Sequence, residues 1–224
     1  KPQAPFFVGW GKVPAALRLF LASCAAFLVI GFSVLAYGTS ATQTDTESGA
    51  FMGRTQAIGV LQERPYPVLH IIESPHFERG DTIILSGNGK RGAVGQAAGM
   101  DGQVVQANGI RLDRGDLHGM QLRGGARGLK LAEDQSQSLE VDVTPLGRWK
   151  LQGEICDGKC LNGAMRPGTG LAHRACAVLC LLGNIAPVFV SAGPVDGDEF
   201  LLLSCETFHV TLRTLSLPID PRAP

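Results

Sequence analysis

The longest apolar stretch runs from Leu19 to Tyr37, 19 residues without a charge, and Pro14 is well placed to open the helix that carries it. Counted from Pro14, 24 residues rising about 1.5 Å each give about 36 Å, enough to cross a hydrocarbon layer of about 30 Å. Residues 13–37 therefore predict one transmembrane helix. Small residues follow it (Ala36, Gly38, Ser40, Ala41), as they would at a signal-peptide cleavage site. The apolar run exceeds the roughly 7–15 residues of a signal core, so an uncleaved anchor is expected. Lys1, Lys12 and Arg18 flank it on one side, Asp45 and Glu47 on the other. By the positive-inside rule the arm 1–12 is cytoplasmic and the remainder exported, which in a bacterium places the anchor in the inner membrane and the C-terminal domain in the periplasm. Phe6, Phe7 and Trp10 suit an interfacial belt.

Beyond a Thr/Ser-rich linker at 38–50 the periodicity changes. Short apolar runs alternate with Gly, Asp, Asn and Pro, and no 3.6-residue repeat occurs before residue 170, so the pattern predicts β-strands. Two stretches match. Pro67-Val68-Leu69-His70 precedes Gly80-Asp81-Thr82-Ile83-Ile84-Leu85-Ser86, and Pro187-Val188-Phe189-Val190 precedes Gly197-Asp198 and a run ending at Ser204. Each follows a strand opening with Arg and reaching Gly, Arg54 to Gly59 and Arg148 to Gly153. Gly59 to Pro67 is 8 residues and Gly153 to Pro187 is 34, so the second copy carries about 26 extra residues. The first copy continues through Asp101-Gly102-Gln103-Val104-Val105, a turn at 113–116 and a strand at 117–122. This order is that of a five-stranded OB-type barrel.

The expected fold class is mostly β: an N-terminal transmembrane helix, then two OB-like β modules at 51–147 and 148–224. The second module, with a final strand expected at 207–217 and a Pro-rich tail, lacks its last hairpin partner. It carries a Cys/His-rich insertion with a short helix over 171–182.

Composition narrows the function. Twenty Lys and Arg balance twenty Asp and Glu, which gives no reason to expect a nucleic-acid partner. A hydrophobic share of 45% excludes a disordered chain. Gly87-Asn88-Gly89-Lys90-Arg91-Gly92 lacks the P-loop pattern and reads as an inter-strand loop, and Arg114-Gly115-Asp116 reads as turn chemistry. His70, His76, His118 and His209 are scattered among strands, where packing or hydration accounts for them. No Ser/His/Asp elbow, H-E-x-x-H or paired-carboxylate arrangement occurs, so no enzyme is expected.

The chemistry concentrates in residues 153–183. Cys156 and Cys160 are four apart, as are Cys176 and Cys180, and His173 precedes Cys176 by three. On a helix, His173, Cys176 and Cys180 share a face, and Cys160 could complete a tetrahedral Cys3His set for zinc, copper or an iron–sulfur centre. The spacing matches neither a Rieske centre nor covalent haem attachment. In an oxidising compartment the alternative is disulfides among Cys156, Cys160, Cys176 and Cys180, worth about 3 kcal/mol in the loop-entropy account. In that case no cofactor is needed. Cys24, inside the apolar helix, reads as a packing residue, and Cys205 stands apart.

Gly153-Glu154-Ile155-Cys156-Asp157-Gly158-Lys159-Cys160, His173-Arg174-Ala175-Cys176-Ala177, Cys180 and Pro187-Val188 resemble a family of small exported bacterial proteins. Their shared pattern is G-x-I-V-D-x-x-C, then H-R-x-C-A-x-x-C-I-x-G-G, then P-V, and it covers about 40 residues here. The resemblance implies a recurring set of Cys160, His173, Cys176 and Cys180 and no catalytic activity. Cys156 stands at an aliphatic position of that pattern and Asn184 at a glycine.

The expected function is a non-catalytic, single-pass accessory or assembly subunit of a bacterial membrane electron-transfer complex, respiratory or photosynthetic. It would meet other subunits through its helix, where Ala22 and Ala26 form a small-residue pair, and through the unfinished sheet edge. Its remaining partner is the lipid bilayer. The alternative is a periplasmic redox or metal-binding protein using Cys160, His173, Cys176 and Cys180.

Overall fold

A computed structural model describes residues 13–42, 48–141, 143–207 and 209–212. The expected cytoplasmic arm, part of the linker and the stretch after Leu212 lie outside the described residues, as does the side chain of Cys205. The chain divides into two units, at 1–45 and 46–224.

The first unit is the helix α1 (Ala15–Thr42). Leu and Ala favour helix strongly enough to carry Gly31 and Gly38, each of which costs about 1 kcal/mol relative to Ala. Of the described helices it alone is long and apolar enough to cross a membrane. It runs five residues past the predicted end, because Ser40, Ala41 and Thr42 continue the backbone ladder and Thr39 bonds back to the Leu35 carbonyl at 2.9 Å.

The second unit begins with a ring of strands. β1 (Ala50–Gln62), β2 (Val68–Glu73), β3 (Thr82–Ser86), β4 (Val104–Arg114) and β5 (Leu117–Leu122) are hydrogen-bonded in the order β1-β2-β3-β5-β4. A further β1–β4 pairing closes the ring. Among the described strands only β3 and β5 run parallel. The short α2 (Val94–Ala97) lies between β3 and β4, and β6 (Leu129–Leu131) adds to the outer side of β4. Closure is possible because β1 is long enough to serve two partners: Ala50 to Val60 pair with β4, and Ile58 to Gln62 with β2. The bulge between Ile58 and Gly59 marks the bend. A Cβ on Gly59 would lie 2.2 Å from the His70 carbonyl oxygen, so only glycine allows that approach. Strands closed on themselves alternate inward and outward. Leu61, Leu69, Ile71, Ile83, Leu85, Val105, Met120 and Leu122 accordingly fill the interior.

The second sheet is an open antiparallel meander of β7 (Gly153–Asp157), β8 (Pro187–Val195), β9 (Asp198–Thr207) and β10 (His209–Leu212). Its register repeats that of the barrel. Gly59 faces Ile71 and Gly153 faces Ser191, the residues after His70 and Val190 in the matched segments. A Cβ on Gly153 would meet the Val190 carbonyl oxygen at 2.0 Å, as Gly59 would meet that of His70. Val68 faces Ile84 and Val188 faces Leu202.

Two differences from expectation follow from the missing closure. Residues 148–152 form no strand, whereas their barrel counterparts do. Those counterparts pair with β4, and the second sheet holds no equivalent of β4 among the described residues. The strand after the β8–β9 hairpin, β10, begins at His209 and pairs antiparallel with β9, while β5 joins β3 in parallel. Between β7 and β8 the insertion forms one π-helical turn (Cys160–Ala164) and the helix α3 (Gly170–Leu182). Barrel and insertion interlock. Arg114, at the end of β4, donates to the Leu161 carbonyl at 3.0 Å, and Gly119 lies against Asn162.

Candidate metal centre

The helix that carries most of the site starts where the sequence pattern places it. Thr169 offers no side-chain cap, and the Glu154 carboxylate of β7 serves instead, accepting the Gly170 N–H at 2.7 Å. This bond fixes α3 over β7 and turns His173, Ala177 and Cys180 inward. On the opposite side Asp157 closes β7. Its Oδ1 accepts the Cys160 N–H at 2.8 Å, starting the π-turn and directing the Cys160 side chain towards α3.

Three sulfurs converge as a result. Cys160 Sγ lies 3.9 Å from Cys176 Sγ and 3.9 Å from Cys180 Sγ, and all three lie within 4.8 Å of one another. A disulfide requires about 2.05 Å. Tetrahedral binding at a metal–sulfur length of about 2.3 Å sets sulfurs about 3.8 Å apart. The two separations from Cys160 match that value, and the third lies within 4.8 Å. Iron–sulfur clusters are commonly held by four cysteines, and three converge here. Cys160 and Cys180 are buried and Cys176 is half-buried, so the group opens to solvent on one side.

His173 and Cys156 occupy different places. His173 Nε2 donates to Asp157 Oδ2 at 2.9 Å with both residues buried, and with Cys160 they form a second donor group that Cys160 shares with the first. The structure thus brings three of the four expected ligands together and sets the imidazole beside them as the partner of a carboxylate. Cys156 faces the apolar cluster of Ile84, Leu117, Leu161 and Val188. The five described cysteines, Cys24 among them, are free thiols.

Two lysines, neither expected in the site, complete its surroundings. Lys159 is buried, and its ammonium donates to the Gly87 and Gly89 carbonyls at 2.7 Å each. Lys90 projects from the same loop, with Nζ 2.6 Å from Cys176 Sγ and 3.9 Å from Cys180 Sγ. The loop at 87–92 therefore forms one wall of the site. The Gly92 N–H donates to the Gly183 carbonyl at 2.8 Å. A Cβ on Gly92 would lie 1.9 Å from the Asn184 oxygen, and one on Gly183 would lie 1.8 Å from that of Lys90. Glycine at both positions is what lets the loop rest on the end of α3.

Burial raises the Cys160 thiol far above its ordinary range and pushes Cys180 up to about 11 and Cys156 up to about 12, with neighbouring carboxylates adding to each. These shifts are opposite to those that activate a nucleophilic cysteine. The hydrogen bond to Cys176 holds Lys90 above its ordinary value, and burial lowers Lys159. What the arrangement can do is bind a soft ion that displaces thiol protons.

Fold and site together define a class: a β-rich body preceded by an apolar helix and bearing a group of three thiols with the Lys90 ammonium against it. Compared with known proteins, the chain matches no family model, no curated protein and no solved structure.

Proposed function

We propose that this protein is a membrane-anchored metal-binding protein whose OB-like β domain, in the periplasm of a bacterium, holds one soft metal ion on Cys160, Cys176 and Cys180. The observation that carries this reading is the convergence of three sulfurs from two separate elements, with Cys160 Sγ 3.9 Å from each of the other two and all three within 4.8 Å. Asp157 and His173 would act as supports. The carboxylate fixes Cys160 through its backbone N–H, and the imidazole holds the carboxylate against α3. Lys90 and Lys159 offset the negative charge that three thiolates bring together. α1 serves as the anchor.

Metal analysis of the full chain, purified in mild detergent under reducing conditions, tests the reading. One equivalent of metal per chain is expected, lost when Cys160 and Cys180 are both replaced by Ser. A metal-free chain that takes up neither zinc nor copper, or one whose mass reveals Cys–Cys linkages within this trio, overturns it.

A second reading is the accessory subunit of an electron-transfer complex. It is favoured by the second sheet, which among the described residues is unclosed and ends in the strands β7 and β10, and by the exposed Leu171, Val178 and Leu182 on the outer side of α3. A stoichiometric partner retained in mild detergent supports it, and a monodisperse monomer opposes it.

A further inference from the structure

Of the nitrogen and oxygen groups beside the three thiols, Asp157, the Nε2 of His173 and the Lys159 ammonium are engaged with one another or with backbone. Asp157 uses Oδ1 on the Cys160 N–H and Oδ2 on His173 Nε2. Lys159 is held by two carbonyls. A further sulfur donor touches the trio: the Met165 thioether, whose Sδ lies 3.5 Å from Cys176 Sγ. Its position is built by the chain. The π-turn ends at Met165 in extended conformation. The loop then folds back, so that a Cβ on Gly168 would lie 2.8 Å from the Cys160 carbonyl oxygen. Met165 belongs to no apolar cluster of the described residues and is 46% exposed. Packing does not account for a long apolar side chain left half in water against a thiol.

Zinc draws on Cys, His and carboxylate ligands, whereas thioether joined to thiolate is a donor set for copper(I). A structural zinc site is also closed by four protein ligands of those types. Here the fourth position faces solvent, and its sulfur sits on an exposed loop. Three thiolates around a monovalent ion carry two net negative charges, and two ammonium groups at the 87–92 loop, Lys90 and Lys159, are near enough to offset them.

We infer that the site takes a monovalent soft ion of the copper(I) class, with Cys160, Cys176 and Cys180 as its thiolate ligands and the Met165 thioether as the fourth donor on the open side. This rests on the three-thiol reading above. Binding releases the three thiol protons to solvent and leaves the oxidation state of the ion unchanged. Cys176 and Met165, the two accessible sulfurs, form the edge by which the ion enters and leaves.

The test uses the full chain in detergent, reduced and without oxygen. Copper(I) and zinc(II) are each titrated against a chromophoric chelator, for the wild type and Met165→Leu, and X-ray absorption is recorded on the copper-loaded wild type. The expected results are an all-sulfur shell around copper, a loss of about tenfold or more in copper(I) affinity in M165L, and zinc affinity unchanged by the substitution. A nitrogen or oxygen ligand on copper, or an M165L variant with wild-type copper(I) affinity, overturns the inference while the three-thiol site stands. Failure to bind either metal overturns both readings. Because Met165 is half-exposed and outside the core clusters, M165L is expected to fold as the wild type does.

Discussion

The barrel and the second sheet begin from the same three-strand unit and diverge in how their interior is covered. In the barrel, β1 reaches round to β4, and inward side chains of five strands cover one another. In the second sheet β7 is short, no strand takes the place of β4 among the described residues, and the interior is covered by the insertion between β7 and β8. That cover includes polar groups. Asp157, Lys159, Asn162 and His173 are buried there with Cys160 and Cys180. Closure yields an apolar interior without chemistry, and failure to close leaves a space that a helix, a π-turn and a loop of the neighbouring barrel line with sulfur and charge. Buried polar groups are costly unless paired, and here Asp157, His173 and Lys159 pair with one another or with backbone.

The largest effect that would break this contrast is on metal binding. Replacing Cys160 by Ser should lower metal affinity by at least about 100-fold, because removal of a direct ligand costs no less than loss of a supporting partner. The barrel core should remain intact. Titration with a chelator competitor, alongside near-ultraviolet circular dichroism, reads both. Asp157→Asn, which keeps the shape but weakens the bonds to Cys160 N–H and His173, should cost about 10-fold to 100-fold in the same titration.

Stability comes next. Leu69→Ala removes a fully buried side chain from the barrel and should cost about 2–5 kcal/mol by denaturant unfolding, with metal affinity little changed in the fraction that folds. Gly59→Ala and Gly153→Ala compare the two regions at equivalent positions. Each Cβ would strike a carbonyl oxygen at 2.2 and 2.0 Å respectively, at a cost of about 1–3 kcal/mol or more. The barrel, unable to shift without opening its ring, should lose more than the open sheet. Equal losses would contradict that view of closure.

The smallest effect is on pH dependence. His70 is buried in the barrel, with Nδ1 2.9 Å from Thr82 Oγ1 and Nε2 3.2 Å from Gln62 Oε1. Burial holds it below its ordinary value of 6.5. Between 6.5 and the lower folded value the unfolded chain binds the proton and the folded one does not. Stability from this group is thus present above 6.5 and lost as pH falls. The Tm of the wild type should drop on acidification from pH 7 to 5, and His70→Gln should flatten that part of the profile.

The strands were legible as short apolar runs bounded by turn residues, β2 and β3 being buried along nearly their whole length, and the repeat could be read because Gly59 and Gly153 answer the same carbonyl approach in both copies. His173, Cys176 and Cys180 could be placed on one face of α3 from spacing alone. The helical face did not distinguish a ligand from a support. His173 lies on that face with the cysteines, but its ring is drawn to Asp157, sixteen residues earlier. Lys90 and Met165 were not foreseen. Lys90 reaches the site across 86 residues of sequence, and nothing local marks the loop at 87–92 as a wall. A usable signal was the density of glycine in that loop beside Gly183, which permits two backbones to touch. Lys159, a charge between Asp157 and Cys160 in an otherwise uncharged run from Gly158 to Met165, was the other.

The central claim is that Cys160, Cys176 and Cys180 hold one ion together, and thiol footprinting measures this most directly. The full chain in detergent is alkylated with and without bound copper(I) or zinc, and each cysteine is quantified by peptide mass spectrometry. The account predicts that metal protects Cys160, Cys176 and Cys180 as a set while labelling of Cys24 is unchanged. Labelling of the three that is indifferent to metal, or protection of one without the others, would contradict it.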